Sequence, residues 1–184
     1  MLVNVQWNQL DEFFSACTMS AMMRMLRDPS LVTHTSGIIQ CIIFIFKGLG
    51  PRSVTYLGQV MPDYLGVMKT ADQQMRQFLY HQLCSIMAIV KVNIKPFMSE
   101  IVPIVLDSWN PEASRELQIA LIVLLEHMVL ALGPDIKPYL ASFLPYFLRI
   151  LNYESVENHR VTEKVGELLA YLINSIQLLF TVMK

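Results

Sequence analysis

His81 and Cys84 are the two residues whose types and spacing come closest to a catalytic pair. Three positions apart on a predicted helix, they would share a face, so the imidazole could activate the thiol as a nucleophile. A working site also needs an orienting acid, oxyanion donors and a cleft. Asp72 lies nine positions before His81, off that face, and no glycine-rich turn is nearby. The pattern favours a packed thiol beside a surface histidine, and we predict no catalytic residues.

The remaining candidates for metal or cofactor chemistry are scattered. The four histidines are isolated, and neither a CxxC nor an HxxxH pattern occurs, so no tetrahedral zinc site is encoded. Glu126 and His127 interrupt an apolar run, where a satisfied polar contact is the simpler interpretation. The glycine-rich, P-loop, HRD and DFG motifs are all missing from the sequence. We therefore predict no metal, no cofactor and no small-molecule substrate.

Composition and charge narrow the class of protein further. The 184 residues are 54% hydrophobic, and the 14 basic side chains are scattered singly in a chain of net charge −1, which disfavours nucleic-acid binding. The apolar run 38–46 is too short to span a bilayer, and the run 117–132 is interrupted by Glu126 and His127. No transmembrane segment is therefore predicted. Cys17, Cys41 and Cys84 are predicted to be buried free thiols in a reducing compartment.

A repeated pattern spans most of the chain. An aromatic residue stands six positions before a proline in the stretches 56–62, 97–103 and 139–145, and the prolines follow one another by 103−62 = 41 and 145−103 = 42 residues. Gly-Pro precedes the first and third aromatic residue in the same relation, and Ile94-Lys95-Pro96-Phe97 matches Ile136-Lys137-Pro138-Tyr139. A helical period near 40–47 residues is typical of HEAT or armadillo arrays.

Helical spacing and breakers predict eight helices in four antiparallel pairs, an all-α solenoid of about four HEAT repeats within a single domain, 1–184. The predicted helices are 10–27, 31–47, 53–69, 71–92, 95–109, 112–132, 136–152 and 155–180. The repeats are roughly 8–49, 51–92, 94–132 and 135–180. Asn110-Pro111-Glu112 is predicted to cap the sixth helix. The first helix of each pair carries the internal proline and is expected on the outside, whereas the second is more uniformly apolar and needs cover from neighbouring repeats.

Neither end of the array has the polar surface of a capping repeat. Ser20 stands where the first repeat should have its proline, the first helix is rich in methionine, and the chain's last helix ends in Leu178-Leu179-Phe180. Terminal repeats of a complete array normally present a polar outer face. We therefore expect this chain to be a piece of a longer array.

Several blocks, in order over residues 14–151, resemble the HEAT-repeat region of the target of rapamycin kinases. The blocks are 22–31, 44–50, 59–62, 94–102, 124–133 and 145–150. The resemblance implies a very large cytoplasmic serine/threonine kinase that controls growth in response to nutrients. Such a kinase acts as a dimer with companion subunits at lysosomal or vacuolar membranes. The segment would precede the rapamycin-binding and kinase domains, and no catalytic residue is carried over.

The leading hypothesis is accordingly a scaffold segment of such a kinase, with its partner-binding residues unknown. The polar helix start of Gln73, Gln74 and Gln77 provides candidate partner contacts. The alternative is an independent HEAT-repeat adaptor such as a nuclear-transport receptor segment. Such receptors display acidic inner helices, whereas acidic and basic residues are mixed here. A small membrane protein and an enzyme are the third and fourth alternatives.

Overall fold

The computed structural model describes residues 3–109 and 114–152, together with positions 163, 166, 167 and 170. Seven α-helices follow one another in this part of the chain: α1 (Val3–Arg27), α2 (Thr35–Leu49), α3 (Leu57–Thr70), α4 (Gln73–Val90), α5 (Met98–Ser108), α6 (Arg115–Leu132) and α7 (Lys137–Asn152). Four 3-10 helices connect them: Pro29–His34, Gly50–Tyr56, Lys91–Phe97 and Gly133–Ile136. No strand occurs in the described ranges, and the predicted all-α class is confirmed.

The helices form two rows. In the inner row, α2 packs against α4 and α4 packs against α6; in the outer row, α1, α3, α5 and α7 each contact the next. This arrangement is the predicted α-solenoid, in which each unit contacts only its neighbours. The predicted last helix, 155–180, falls mainly outside the described residues, so the fourth repeat and its boundaries stay a prediction.

The core lies between the two rows. The inner helices bury apolar side chains at helical spacing, for example Ile39, Ile42 and Phe46 of α2, all 0% exposed. On α6 the buried residues occupy several sides of the helix, from Leu117 to Leu132, because protein covers it on more than one side. Each fully buried Leu or Ile contributes about 1.5–3 kcal/mol relative to exposure. Contact with neighbouring elements, which was predicted for the second helix of each pair, therefore stabilises α6.

The three repeated prolines have the same setting. Pro62, Pro103 and Pro145 lie inside the outer helices α3, α5 and α7, and all three are exposed. A proline cannot donate a backbone hydrogen bond and leaves a carbonyl about four residues earlier without its donor. On the outer side of the stack that carbonyl faces water, which makes the proline tolerable there. The predicted placement of the prolines in the outer helices is confirmed.

The connections between rows differ from the prediction. Continuous α-helices were expected to begin at about residues 31, 53 and 95, but a 3-10 helix comes first in each case and the α-helices begin at Thr35, Leu57 and Met98. The first two 3-10 helices have a proline in their first turn, and the third contains Pro96. Because proline lacks an N–H and restricts the residue before it, these segments form tight turns rather than further α-helix.

A residue with positive φ opens the later connections at a regular spacing. Gly50 and Gly133 have φ of 56° and 54°, and Lys91 occupies the same conformation with φ of 52°. Each stands six positions before the aromatic residue of its repeat. The sequence pattern had identified the two glycines, but it missed Lys91 because lysine is not a turn-forming residue.

Two helix starts show which side chains cap them. The Asp72 carboxylate accepts a hydrogen bond from the Met75 N–H at 2.8 Å, so α4 begins at Gln73 rather than at Ala71 as predicted. The Ser114 hydroxyl accepts one from the Leu117 N–H at 3.3 Å at the start of α6. The predicted cap Asn110-Pro111-Glu112 lies outside the described residues.

Candidate interaction surface

His81 and Cys84 lie in different environments. His81 is exposed, whereas Cys84 is only 6% exposed and lies in the core. Burial raises the pKa of the Cys84 thiol to about 12. The thiol therefore stays protonated at neutral pH, and it offers no thiolate for attack. A packed thiol beside a surface histidine, the interpretation favoured from the sequence, is confirmed.

Glu126 and His127, which interrupt the apolar run of α6, face solvent or make a local contact. His127 Nδ1 lies 2.9 Å from the Val123 carbonyl oxygen, a local polar contact of the kind predicted, and Glu126 is exposed. In the described part of the chain, no three His, Cys, Asp or Glu side chains come together as metal ligands. Cys17 and Cys41 are exposed, so their predicted burial is wrong. Cys17 lies on α1 and Cys41 lies on α2, the two helices at one edge of the stack.

Two stretches are long and apolar enough to pass a simple test for membrane spans, Pro29–Thr70 and Arg115–Tyr146. Both are interrupted by a positive-φ glycine, Gly50 or Gly133, so neither is one continuous α-helix. The longest α-helix of the first stretch, α2, has 15 residues, fewer than the roughly 17–25 that span a bilayer. The longest of the second, α6, has 18 residues and is interrupted by Glu126 and His127. The buried apolar side chains of both stretches pack between the rows, whereas Val32, Phe44 and Leu130 are exposed.

Polar contacts align α4 with α5 inside the stack. The Tyr80 hydroxyl donates to Ser108 Oγ at 2.6 Å, and Arg76 donates to the same oxygen at 3.0 Å and to the Asp107 carboxylate at 3.3 Å. Ser108 is 4% exposed, so the two donors satisfy an oxygen that is largely shielded from water. The network therefore sets how the inner helix of one repeat meets the outer helix of the next.

Further contacts join consecutive outer elements. Ion pairs connect Arg27 to Asp63 at 2.7 Å, Lys69 to Glu100 at 3.4 Å and Lys95 to Asp135 at 2.9 Å. Exposed pairs of this kind contribute little energy, so they guide alignment rather than hold the stack together. Trp109 is buried at the end of α5 with its ring 5.7 Å from that of Tyr146 and 6.4 Å from that of Phe143 on α7.

The inner row leaves one side free, which we call the inner face. It comprises exposed residues on successive inner helices, namely Gln40 and Lys47 of α2, His81 and Ala88 of α4, and Leu130 of α6. The predicted partner contacts lie at the start of α4, where Gln73 and Gln74 are exposed and Gln77 is half-buried. The sequence did not identify Leu130, which is 57% exposed, because an exposed leucine cannot be distinguished from a core leucine by residue type.

An open groove of about 570 Å³ lies at the edge where the connections meet. It is lined by Val92, Asn93, Lys95, Pro96, Ser99 and Tyr139. The groove mixes apolar and polar side chains without a buried charged group. Together with the inner face, it offers surface for contact with another protein rather than an enclosed site for a small molecule.

The two-row stack, its outer prolines and its period of 41–42 residues define an α-solenoid of HEAT type. A solved structure has the same fold: a chain from the structure of Kap95p with RanGDP superposes with a TM-score of 0.70, covering 85% of this chain and 19% of that one at 18% identity. At that identity the likeness concerns the fold alone.

Sequence comparison identifies the family. The family described as "Serine/threonine-protein kinase mTOR domain" matches residues 1–91. The Drosophila melanogaster serine/threonine-protein kinase mTor is 37% identical over 180 residues, which are 94% of this chain and 7% of that protein. Serine/threonine-protein kinase TOR2 of Saccharomyces cerevisiae is 32% identical over 151 residues, 82% of this chain and 6% of that protein. The chain belongs to the target of rapamycin kinase family, and it spans about 7% of the length of the Drosophila relative.

Proposed function

We propose that this chain is a scaffold segment of a TOR-type serine/threonine kinase that signals nutrient status to growth, and that the segment itself performs no catalysis. The observation that carries the proposal is the continuous inner row of α2, α4 and α6, which is braced by the outer helices and leaves one long side free. Stacked repeats of this kind present extended surfaces whose curvature is set by the packing between repeats. The kinase activity proposed for the longer protein rests on its relatives, which are named as serine/threonine-protein kinases.

The partners that suit this surface are proteins: companion subunits of a TOR complex and a second TOR protomer. The inner face combines neutral polar side chains with an exposed leucine and few charges, as protein interfaces do at their centres. The proposed location is the cytoplasm, with the parent kinase at lysosomal or vacuolar membranes.

A paired substitution on the inner face tests the scaffold function. In the full-length kinase, His81→Glu with Leu130→Glu places two carboxylates on exposed inner-face positions without touching the core. We expect recovery of companion subunits or of a second, differently tagged protomer to fall by at least about fivefold, the effect of losing roughly 1 kcal/mol of binding. Phosphorylation of a short generic peptide should change less than about twofold, because the kinase domain is untouched.

The matched control is Ser142→Glu, which adds a carboxylate at an exposed position of the outer helix α7. It should leave partner recovery unchanged. Unchanged recovery of every partner with the inner-face variant would contradict the proposed role of that face. The 184-residue chain alone should transfer no phosphate from ATP to a peptide, and transfer above the buffer background would contradict the proposed absence of catalysis.

A further inference from the structure

One side of α2 is uncovered, although its residues are those of a packing surface. Gly37, Cys41, Phe44 and Gly48 follow one another by four, three and four positions, so they form one stripe along the helix, which we call the edge stripe. All four are exposed, and Phe44 is 78% exposed, the largest value among the exposed large hydrophobic side chains of the described residues. A phenylalanine flanked by small residues is a shape that a second helix can pack against closely.

The internal repeat shows what the same stripe does elsewhere in this molecule. The positive-φ residues 50, 91 and 133 set the register, with shifts of 41 and 42 residues. On α4 the edge stripe corresponds to Phe78, Gln82, Ser85 and Ile89, all half-buried. On α6 it corresponds to Ala120 and Leu124, which are buried, and to His127 and Ala131, which are half-buried. The stripe is therefore covered wherever an inner helix precedes it in the row.

A neighbouring stripe serves as an internal comparison. Gln40 and Lys47 of α2 are exposed, and so are their equivalents His81 and Ala88 on α4. These positions belong to the inner face, which no helix covers in either repeat. The edge stripe is thus exposed because no inner helix precedes α2 in the described stack. The inner face, in contrast, is exposed on both α2 and α4.

We infer that the edge stripe is a stacking surface that receives the inner helix of a further helical repeat of the same polypeptide. The surface continues the interfaces that α2 makes with α4 and α4 makes with α6. The chain spans only 7% of the Drosophila relative, so members of the family have ample further chain to supply such a repeat. At Gly37 and Gly48 no atom lies within 4 Å of where a Cβ would be, which leaves room for a helix to approach the backbone. The inference rests on the proposed scaffold function, since it requires the chain to be part of a longer array.

The three cysteines provide the test. In the 184-residue chain, iodoacetamide should label the exposed Cys17 and Cys41 and leave the buried Cys84 unlabelled. In the longer protein of the same gene, labelling of Cys41 should slow by at least about tenfold, because a covered thiol reacts only when the contact opens. Labelling of Cys17 should slow far less than that of Cys41, since its equivalents on the later outer helices are half-buried at Gln59 and exposed at Glu100 and Ser142. Equal labelling rates of Cys41 in both proteins would overturn the inference.

Two variants of the longer protein separate packing from other causes of protection. Phe44→Asp places a charge in the proposed contact and should restore rapid labelling of Cys41. Lys47→Asp, three residues along on the inner face, should leave Cys41 protected. If protection instead appeared in the 184-residue chain and increased with its concentration, a second copy would be the occupant, and the assignment to the same polypeptide would be wrong.

This readout is independent of partner binding. Protected Cys41 with unchanged companion-subunit recovery in the inner-face variant would uphold the stacking surface and overturn the proposed function of the inner face. Loss of companion subunits in that variant with a freely reactive Cys41 would do the opposite.

Discussion

Replacing Lys91 by glycine should stabilise this protein. Lys91 has φ of 52° and ψ of −130°, close to Gly50 at 56° and −134° and to Gly133 at 54° and −124°. The Cβ of any residue other than glycine makes this backbone conformation unfavourable, and residues held in such regions are strained by about 1–3 kcal/mol. The Lys91 side chain is exposed, so removing it gives up little packing.

The expected gain is smaller than the strain itself. Glycine also increases the freedom of the unfolded chain, which offsets about 0.4–1 kcal/mol. The net effect of Lys91→Gly should therefore be a stabilisation of about 1 kcal/mol. For a chain of this size that corresponds to a rise in melting temperature of about 2–4 °C. Urea unfolding followed by far-UV circular dichroism measures the free energy, and a thermal scan measures the midpoint.

Two further variants isolate the backbone as the cause. Lys91→Ala removes the same side-chain atoms but keeps Cβ, so the stability should stay within about 0.5 kcal/mol of the parent. Gly133→Ala should lose about 1–3 kcal/mol, and because no atom lies within 4 Å of the new Cβ, the loss would come from conformation alone. If Lys91→Gly proved no more stable than Lys91→Ala, strain at this position would be refuted.

Four other substitutions test the packing and the buried groups, each by urea unfolding against the parent chain. Tyr80→Phe should lose about 1 kcal/mol, because it removes the 2.6 Å hydrogen bond to Ser108 while Arg76 still donates to that oxygen; a loss below the experimental error would contradict the network. Trp109→Ala should lose about 3–5 kcal/mol through the cavity left at the α5–α7 contact, whereas Leu144→Ala at a half-exposed site should change stability by less than about 1 kcal/mol. Since the pKa of Cys84 rises from 9.0 to about 12 on folding, the folded thiol keeps its proton while the unfolded thiol loses it above pH 9.0. Stability should therefore fall by about 1.4 kcal/mol per pH unit between 9.0 and 12 on account of this group, and that contribution should be missing from Cys84→Ser; equal slopes for the two proteins would show the thiol is not buried as described.

The residue types contained enough information for the class of fold and the position of the outer prolines. Pro62, Pro103 and Pro145 recur every 41 or 42 residues, and a proline is tolerated inside a helix only where the freed carbonyl can reach water. That requirement predicts all three on outer helices, which is where they lie. Likewise, the apolar residues around α6 required cover on several sides, which a single pair of helices cannot provide.

Residue types were less informative where the same amino acid suits two environments. Cys17 and Cys41 lie among apolar residues and were predicted to be buried, but both are exposed. Cys41 lies on the uncovered side of the edge helix α2, whereas Cys17 lies on a side of α1 whose equivalents Glu100 and Ser142 on later outer helices are exposed as well. Phe44 and Leu130 are likewise of residue types that are usual in a core, yet both are exposed. Whether such a side chain is covered depends on which helix lies beside it, and local periodicity does not contain that information.

The sequence by itself determined the repeat, the helical class and the two-row order, because spacing and proline chemistry are local properties that each unit repeats. Only the tertiary structure decided that Lys91 adopts the conformation of Gly50 and Gly133, since the packing of α4 against α6 holds the chain there despite the unfavourable side chain. Only the tertiary structure, too, separated the free inner face from the edge stripe of α2, because the exposure of a helix face depends on its neighbours in the row.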